Sequence, residues 1–269
     1  MVLAVSVEGP LEEAARPGVG DYARRWELVL IDHKLDEFVQ KLKAAAADNL
    51  KSVILYGSAA TDEFQAKHSD LNILCVVGQA DAAHLEAWHE PVQWWTRRGQ
   101  RPPLIFTLEE LRRSADVFTI ELMDMKLRHR ILFGENVLAD FSVPLHYHSI
   151  QVERELRTNW LRLRQAVLAA PKKSKAYLEL MVSSFSTFAA LFRHALIALG
   201  ETRAETRREA IERIAKFAEA DPAGFHAILA LREGKSGERD IDVDKTLNQY
   251  FAFVEAVTDK FDRQLEAKK

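Results

Sequence analysis

Cysteine is nearly absent. Cys75 is the single thiol in 269 residues, so an internal disulfide is excluded and the chain fits a reducing, cytoplasmic setting. No Cys/His cluster has the spacing of a zinc site. An excess of charge of one sign is also missing. The 37 Lys and Arg residues against 40 Asp and Glu leave a net charge of -3, so bulk attraction to nucleic acid or to an anionic membrane is not indicated. No uninterrupted apolar run reaches the ~20 residues of a transmembrane helix. The opening MVLAVSVEGPLEEAARPG has no basic stretch ahead of its apolar residues, so it does not read as a signal peptide. Internal repeats and low-complexity tracts are lacking too. What remains is an ordinary globular balance, 48% hydrophobic and 29% charged. The length suffices for one large domain or two modest ones.

The pattern along the chain changes once. Residues 1–21, with Gly9-Pro10 and Pro17-Gly18, read as a loose arm. From Trp26 to Ala47 apolar residues recur at helical spacing, and Asn49 closes that helix. Ser52–Tyr56 and Leu71–Val77 are short apolar runs typical of buried strands. Ala80–Arg98 is helical in pattern, carries Trp88, Trp94 and Trp95, and is broken by Pro102-Pro103. Leu104–Thr107 reads as a third strand, Leu108–Ala115 as a short helix, and Ile120–Met125 as a fourth strand. After about Pro144 strand-like runs cease. Helical patterns cover Ile150–Ala169, Tyr177–Leu199, Thr206–Ala220, Pro222–Arg232 and Val243–Leu265. Tyr177–Leu199 is the most apolar, is expected at the centre, and is ended by Gly200. The expected fold class is α+β: a small mixed sheet with flanking helices over 22–143, then an all-α bundle over 144–269.

The chemistry-bearing stretch is ILYGSAATDEFQAKHSDLNILCVV, Ile54 to Val77. Gly57 directly follows a strand, where the missing side chain lets a ligand approach the backbone, and Ser58 adds a hydroxyl donor. A helix start after Gly57-Ser58 would favour an anion such as a triphosphate. Asp70 and Asn72 stand two apart on a strand and so share a face. Two carboxylates in that arrangement would make a site of hard oxygen ligands for Mg²⁺; here the second is an amide. Taken alone, Gly-Ser is usually an ordinary strand-to-turn connection.

The combination resembles the DNA polymerase β superfamily of nucleotidyltransferases. The matching residues are Leu55, Tyr56, Gly57 and Ser58, then Ser69, Asp70, Leu71, Asn72 and Ile73. The helical C-terminal half is similar in class to that of aminoglycoside and minimal nucleotidyltransferases. The resemblance implies that Gly57 and Ser58 hold the triphosphate of ATP or another NTP. It implies that Asp70 and the residue at Asn72 bind Mg²⁺, and that a third carboxylate activates an acceptor hydroxyl. Glu121 is the candidate for that third acid, because Leu104–Thr107 contains none. Asn72 departs from the family pattern, so two functions compete. One is a nucleotide-binding protein whose transfer of NMP is weak or lost. The other is an active Mg²⁺-dependent transferase acting on a small molecule, protein or RNA. The expected partner is a nucleotide; the acceptor or protein partner and any self-association stay open, and no membrane is expected.

Other residues have ordinary readings beside functional ones. Lys126, Arg128, His129 and Arg130 form a basic cluster that could meet phosphates or be a solvated helix face. Arg97, Arg98 and Arg101 share that ambiguity. At least one of Trp94 and Trp95 is expected in the core. Cys75 is expected to be an inert buried thiol, His68 a loop residue, and Asp242 a helix cap.

Overall fold

The computed structural model describes residues 19–60 and 71–267, the side chains of 19–25, 27, 28 and 58 excepted. Packing contacts divide the chain into two units. The first takes in the described residues up to Glu110 together with Leu127–Ala139. The second is Leu111–Lys126 and everything from Asp140 on.

In the first unit, α1 (Val19–Ala46) leads through a 3-10 turn, Ala47–Asn49, into β1 (Leu50–Tyr56). A second 3-10 turn, Gly57–Ala60, follows β1 at once. Beyond it come β2 (Asn72–Val77), α2 (Ala82–Ala87), α3 (His89–Thr96), β3 (Leu104–Thr107), the start of α4 (Leu108–Arg113) and β4 (His129–Gly134), while α5 (Thr119–Leu127), which precedes β4 in the chain, belongs to the second unit save for its last residue. The four strands form one mixed sheet in the order β3-β2-β1-β4. β1 is antiparallel to β2 and β4, whereas β2 and β3 are parallel. The parallel pair needs a crossover, which α2 and α3 supply.

One face of the sheet is covered by helices. Val53, Leu55, Ile73, Cys75 and Val77 pack with Leu35, Phe38 and Leu42 of α1 and with Trp88 and Trp95. The helical spacing of the α1 residues is what lets one stripe meet the sheet. Trp95 is fully buried, stacks 4.3 Å from Phe38 and donates its indole N–H to the Arg101 carbonyl at 2.9 Å. Ile54, Leu74 and Val76, on the other face, are also buried. A sheet buried on both sides explains why β1 and β2 are near-continuous apolar runs.

Two expectations need correction. The helical pattern Ala80–Arg98 forms two short helices, with Trp88 between them. More consequentially, Ile120–Met125 is not a strand but lies within α5, whose buried residues Thr119, Leu122 and Met125 recur every three positions. That spacing is helical; the apparent alternation of two had no sheet partner to satisfy. The fourth strand lies immediately after it, in His129–Gly134. Its last residue, Gly134, has φ +76°, and a Cβ there would come within 1.9 Å of the Lys51 carbonyl oxygen. Only glycine lets β4 close this tightly on β1.

The second unit contains α6 (His148–Ala169), α7 (Ser174–Ala198), α8 (Arg207–Ala218), α9 (Ala223–Arg232) and α10 (Val243–Glu266). Among the described residues after Ile150 there is no strand. α7 is central: Met181, Phe185, Phe192 and Ala195 have no exposure. It is also the one described helix long and apolar enough to cross a membrane, and more than half of its most apolar window is buried within the protein. Phe225 of α9 stacks 4.1 Å from Tyr250 of α10, whose hydroxyl meets Ser184 Oγ at 3.1 Å. Asp242 caps α10 by accepting from the Lys245 N–H.

Candidate functional site

The residues around Gly57 gather at one end of the sheet. β1 ends at Tyr56, and Tyr56 lies directly opposite Asn72, the first residue of β2. On its other side Tyr56 lies opposite His129, the first residue of β4. Directly opposed residues of antiparallel strands share a face. Asn72, Tyr56 and His129 therefore form one row across three strands. The next row down on that face, Leu74, Ile54 and Ile131, is apolar. The face thus turns polar at the Gly57 end, in the row Asn72, Tyr56 and His129.

Gly57 then leaves the strand with φ +81°, in the left-handed region that favours glycine. A Cβ built on it would stand 3.5 Å from Asn72 Nδ2. Space is therefore available, and backbone strain is what selects glycine. The Gly57 N–H donates to the Arg128 carbonyl at 3.0 Å, which ties the turn to the start of β4. That N–H is committed within the fold, so the donors the turn offers an anion are those that follow it in the 3-10 turn.

The sequence-derived site residues fare differently. Gly57 and Asn72 lie side by side, and Asn72 is part-exposed at the strand end rather than sunk in the core. Asp70, His68 and the side chain of Ser58 lie outside the described residues. Glu121 is exposed on α5, in the second unit, so the strand alternation that singled it out is gone. None of the four strands contains Asp or Glu. On β3, the position sharing the face of Asn72 and Leu74 is Leu104, which is 42% exposed. Among the described residues no group of three His, Cys, Asp or Glu side chains converges to hold a metal.

Most of the remaining candidates have structural roles. Arg130 points to the helix-covered face and pairs with Asp32 of α1 at 2.7 Å. Lys126 donates to the Phe141 carbonyl at 2.5 Å. Arg98 stacks on Trp94, 3.8 Å from the ring centroid. Cys75 is buried, and burial pushes its thiol well above the ordinary range, which leaves it inert. Of the basic cluster, His129 is the member the register places beside Tyr56 and Asn72. Sequence reading put it on a helix face, because pairing between β4 and β1 spans about 75 residues and leaves no local signal.

No family model matches this sequence, and no curated protein matches it either. Among solved structures the chain is similar to spectinomycin adenyltransferase AAD(9) from Enterococcus faecialis, crystallised with ATP and spectinomycin. The TM-score is 0.51 at 14% identity, over 83% of this chain and 99% of that one. At such identity the likeness is one of fold: a mixed sheet with flanking helices, followed by helices.

Proposed function

We propose that this protein binds a nucleoside triphosphate at the Gly57 turn and transfers NMP weakly or not at all. The observation that carries the reading is Asn72. It occupies the head of β2, faces Gly57, and supplies an amide where a nucleotidyltransferase of this kind needs a carboxylate. A nucleotidyltransferase-like fold and a structural neighbour crystallised with ATP support the nucleotide part of the proposal. ATP is accordingly the first nucleotide to test.

Loss of the acid bears on the metal. Each carboxylate offsets part of the hydration that Mg²⁺ gives up on binding. With Asn72 in place and no acid on any described strand, Asp70 would be the one carboxylate of the motif, and Mg²⁺ would arrive chiefly with the triphosphate. Removing a single charge-stabilising group typically costs ~10²–10³ in rate. A site that lacks both the second acid and a third acid from the sheet retains little transfer activity.

The test is pyrophosphate release from each NTP with Mg²⁺, in the wild type and in Asn72→Asp. Wild type should release little above background while still binding the nucleotide, and Asn72→Asp should bind Mg²⁺-NTP more tightly. Robust wild-type turnover that Asn72→Asp abolishes would refute the degenerate reading. It would establish instead an active transferase, with a small molecule as the first acceptor to try.

A further inference from the structure

Two basic side chains of the first unit are held against tryptophan rings. On α1, Lys34 is part-buried and its Nζ lies 5.5 Å from the centre of the Trp95 ring. On α3, the Arg98 guanidinium lies 3.8 Å from the centre of the Trp94 ring and donates one N–H to the Trp94 carbonyl at 3.0 Å. The two rings are neighbours, 6.4 Å apart and within 19° of parallel. Among the described residues neither cation pairs with a carboxylate. Two acids of α1 are engaged elsewhere, Asp32 with Arg130 and Glu37 with Lys41. Stacking on an aromatic ring holds each cation in place without neutralising it. Partial burial, and then the like charge of Arg98, lower the Lys34 pKa from its ordinary value. An anion between the two would relieve that repulsion. Trp95 and Phe38 belong to the cluster covering one face of the sheet, whereas Asn72 lies on the other face, in line with Leu74 and Ile54. The pair is therefore separate from the Gly57 turn.

We infer that Lys34 and Arg98 form a second anion site, which binds a dianionic phosphate group, as inorganic phosphate or a phosphate monoester, on the helix-covered side of the sheet. Charge selects the ligand. Two unit positive charges are balanced by one dianion, and a phosphate monoester is close to a dianion at neutral pH. A carboxylate supplies half of that, as does each phosphodiester of a nucleic-acid backbone. Base stacking is closed as well. Trp94 carries Arg98 on its ring, with Lys41 5.1 Å and Phe38 6.4 Å from its centre, and Trp95 is fully buried. The lysine ammonium and the outward edge of the guanidinium supply N–H donors to several phosphate oxygens at once. The site does not depend on the nucleotide reading above.

The experiment is calorimetric titration of inorganic phosphate into the full chain, with sulfate as a second probe. The proteins are wild type, Lys34→Gln, Arg98→Gln and Gly57→Ala, each checked by circular dichroism. Titrations at about pH 7.5 and about pH 5 flank the second ionisation of phosphate, whereas sulfate is a dianion at both. Wild type should bind phosphate saturably, with a dissociation constant of about 1 mM or below. Lys34→Gln and Arg98→Gln should each weaken it by roughly five-fold or more. Gly57→Ala should bind phosphate as wild type does. Lowering the pH should weaken phosphate by roughly three-fold or more and leave sulfate unchanged. A peptide bearing one phosphoserine should bind at least as well as phosphate, and its unphosphorylated form should not bind; tighter binding of the phosphopeptide assigns the site to a phosphorylated protein partner rather than a free ester. Wild-type affinity in both Lys34→Gln and Arg98→Gln would overturn the inference, as would absence of phosphate binding to the wild type. Phosphate binding lost in Gly57→Ala alone would move the anion to the Gly57 turn and refute this site. Equal binding of both peptides would refute recognition of phosphate.

Discussion

At the scale of single residues, two glycines of the first unit are held by different constraints. Gly134 cannot accept a side chain without moving the Lys51 backbone, because the nearest atom lies 1.9 Å from a Cβ there. Gly134→Ala should therefore destabilise the first unit by about 2 kcal/mol or more, measurable as a lower midpoint in urea. Gly57 differs in kind. Its surroundings leave room for a Cβ, so Gly57→Ala should cost only the strain of positive φ, about 1–2 kcal/mol, and yield a folded protein. The place of Asn72 at the head of β2 was legible from the sequence, because the apolar run that follows it is a local property. His129 was not. Its place depends on which strand pairs with β1, which no short window contains.

At the scale of elements, helices with long apolar periodicity were readable nearly to their ends. α6, α7, α8, α9 and α10 begin and stop within a few residues of the expected positions. α5 was misread because a nine-residue helix offers too few turns for its period to be distinguished from alternation. α5 also carries Asp124, which takes part in a buried cluster of the second unit. His148 Nε2 of α6 lies 3.0 Å from His194 Nδ1 of α7, and His194 Nε2 lies 3.3 Å from Asp124 Oδ1. Burial, and then the neighbouring His194, lower the His148 pKa from 6.5 to about 4, with Asp124 opposing the shift. A base held neutral in the fold protonates more readily when the chain unfolds. The stability it contributes is thus fully present above about pH 6.5 and is lost progressively as the pH falls towards about 4. Thermal melts over that range should show a falling midpoint in the wild type. His148→Gln should lower stability at pH 7 but flatten the slope. An unchanged slope in that variant would show that His148 does not carry the effect.

At the scale of the molecule, the chain does not divide at a single point. It leaves the first unit at Glu110, contributes Leu111–Lys126 to the second, returns for Leu127–Ala139 and then completes the bundle. A change of pattern near Pro144 is visible in sequence, because strand-like runs stop there. The contribution of Leu111–Lys126 is not, because it rests on packing. A fragment starting at residue 144 would leave His194 without Asp124 and Gln151 without its Asp116 carbonyl acceptor. It should melt at a lower temperature, and less cooperatively, than one starting at residue 111; equal melts would contradict the packing division. The central claim is the proposal that this sheet holds a nucleotide at the turn between β1 and β2. The most direct measurement is the affinity of Mg²⁺-ATP for the wild type and for folded Gly57→Ala. The account predicts saturable one-to-one binding to the wild type, weakened roughly ten-fold or more in Gly57→Ala. Equal affinity in the two proteins, or no binding to the wild type, would contradict it.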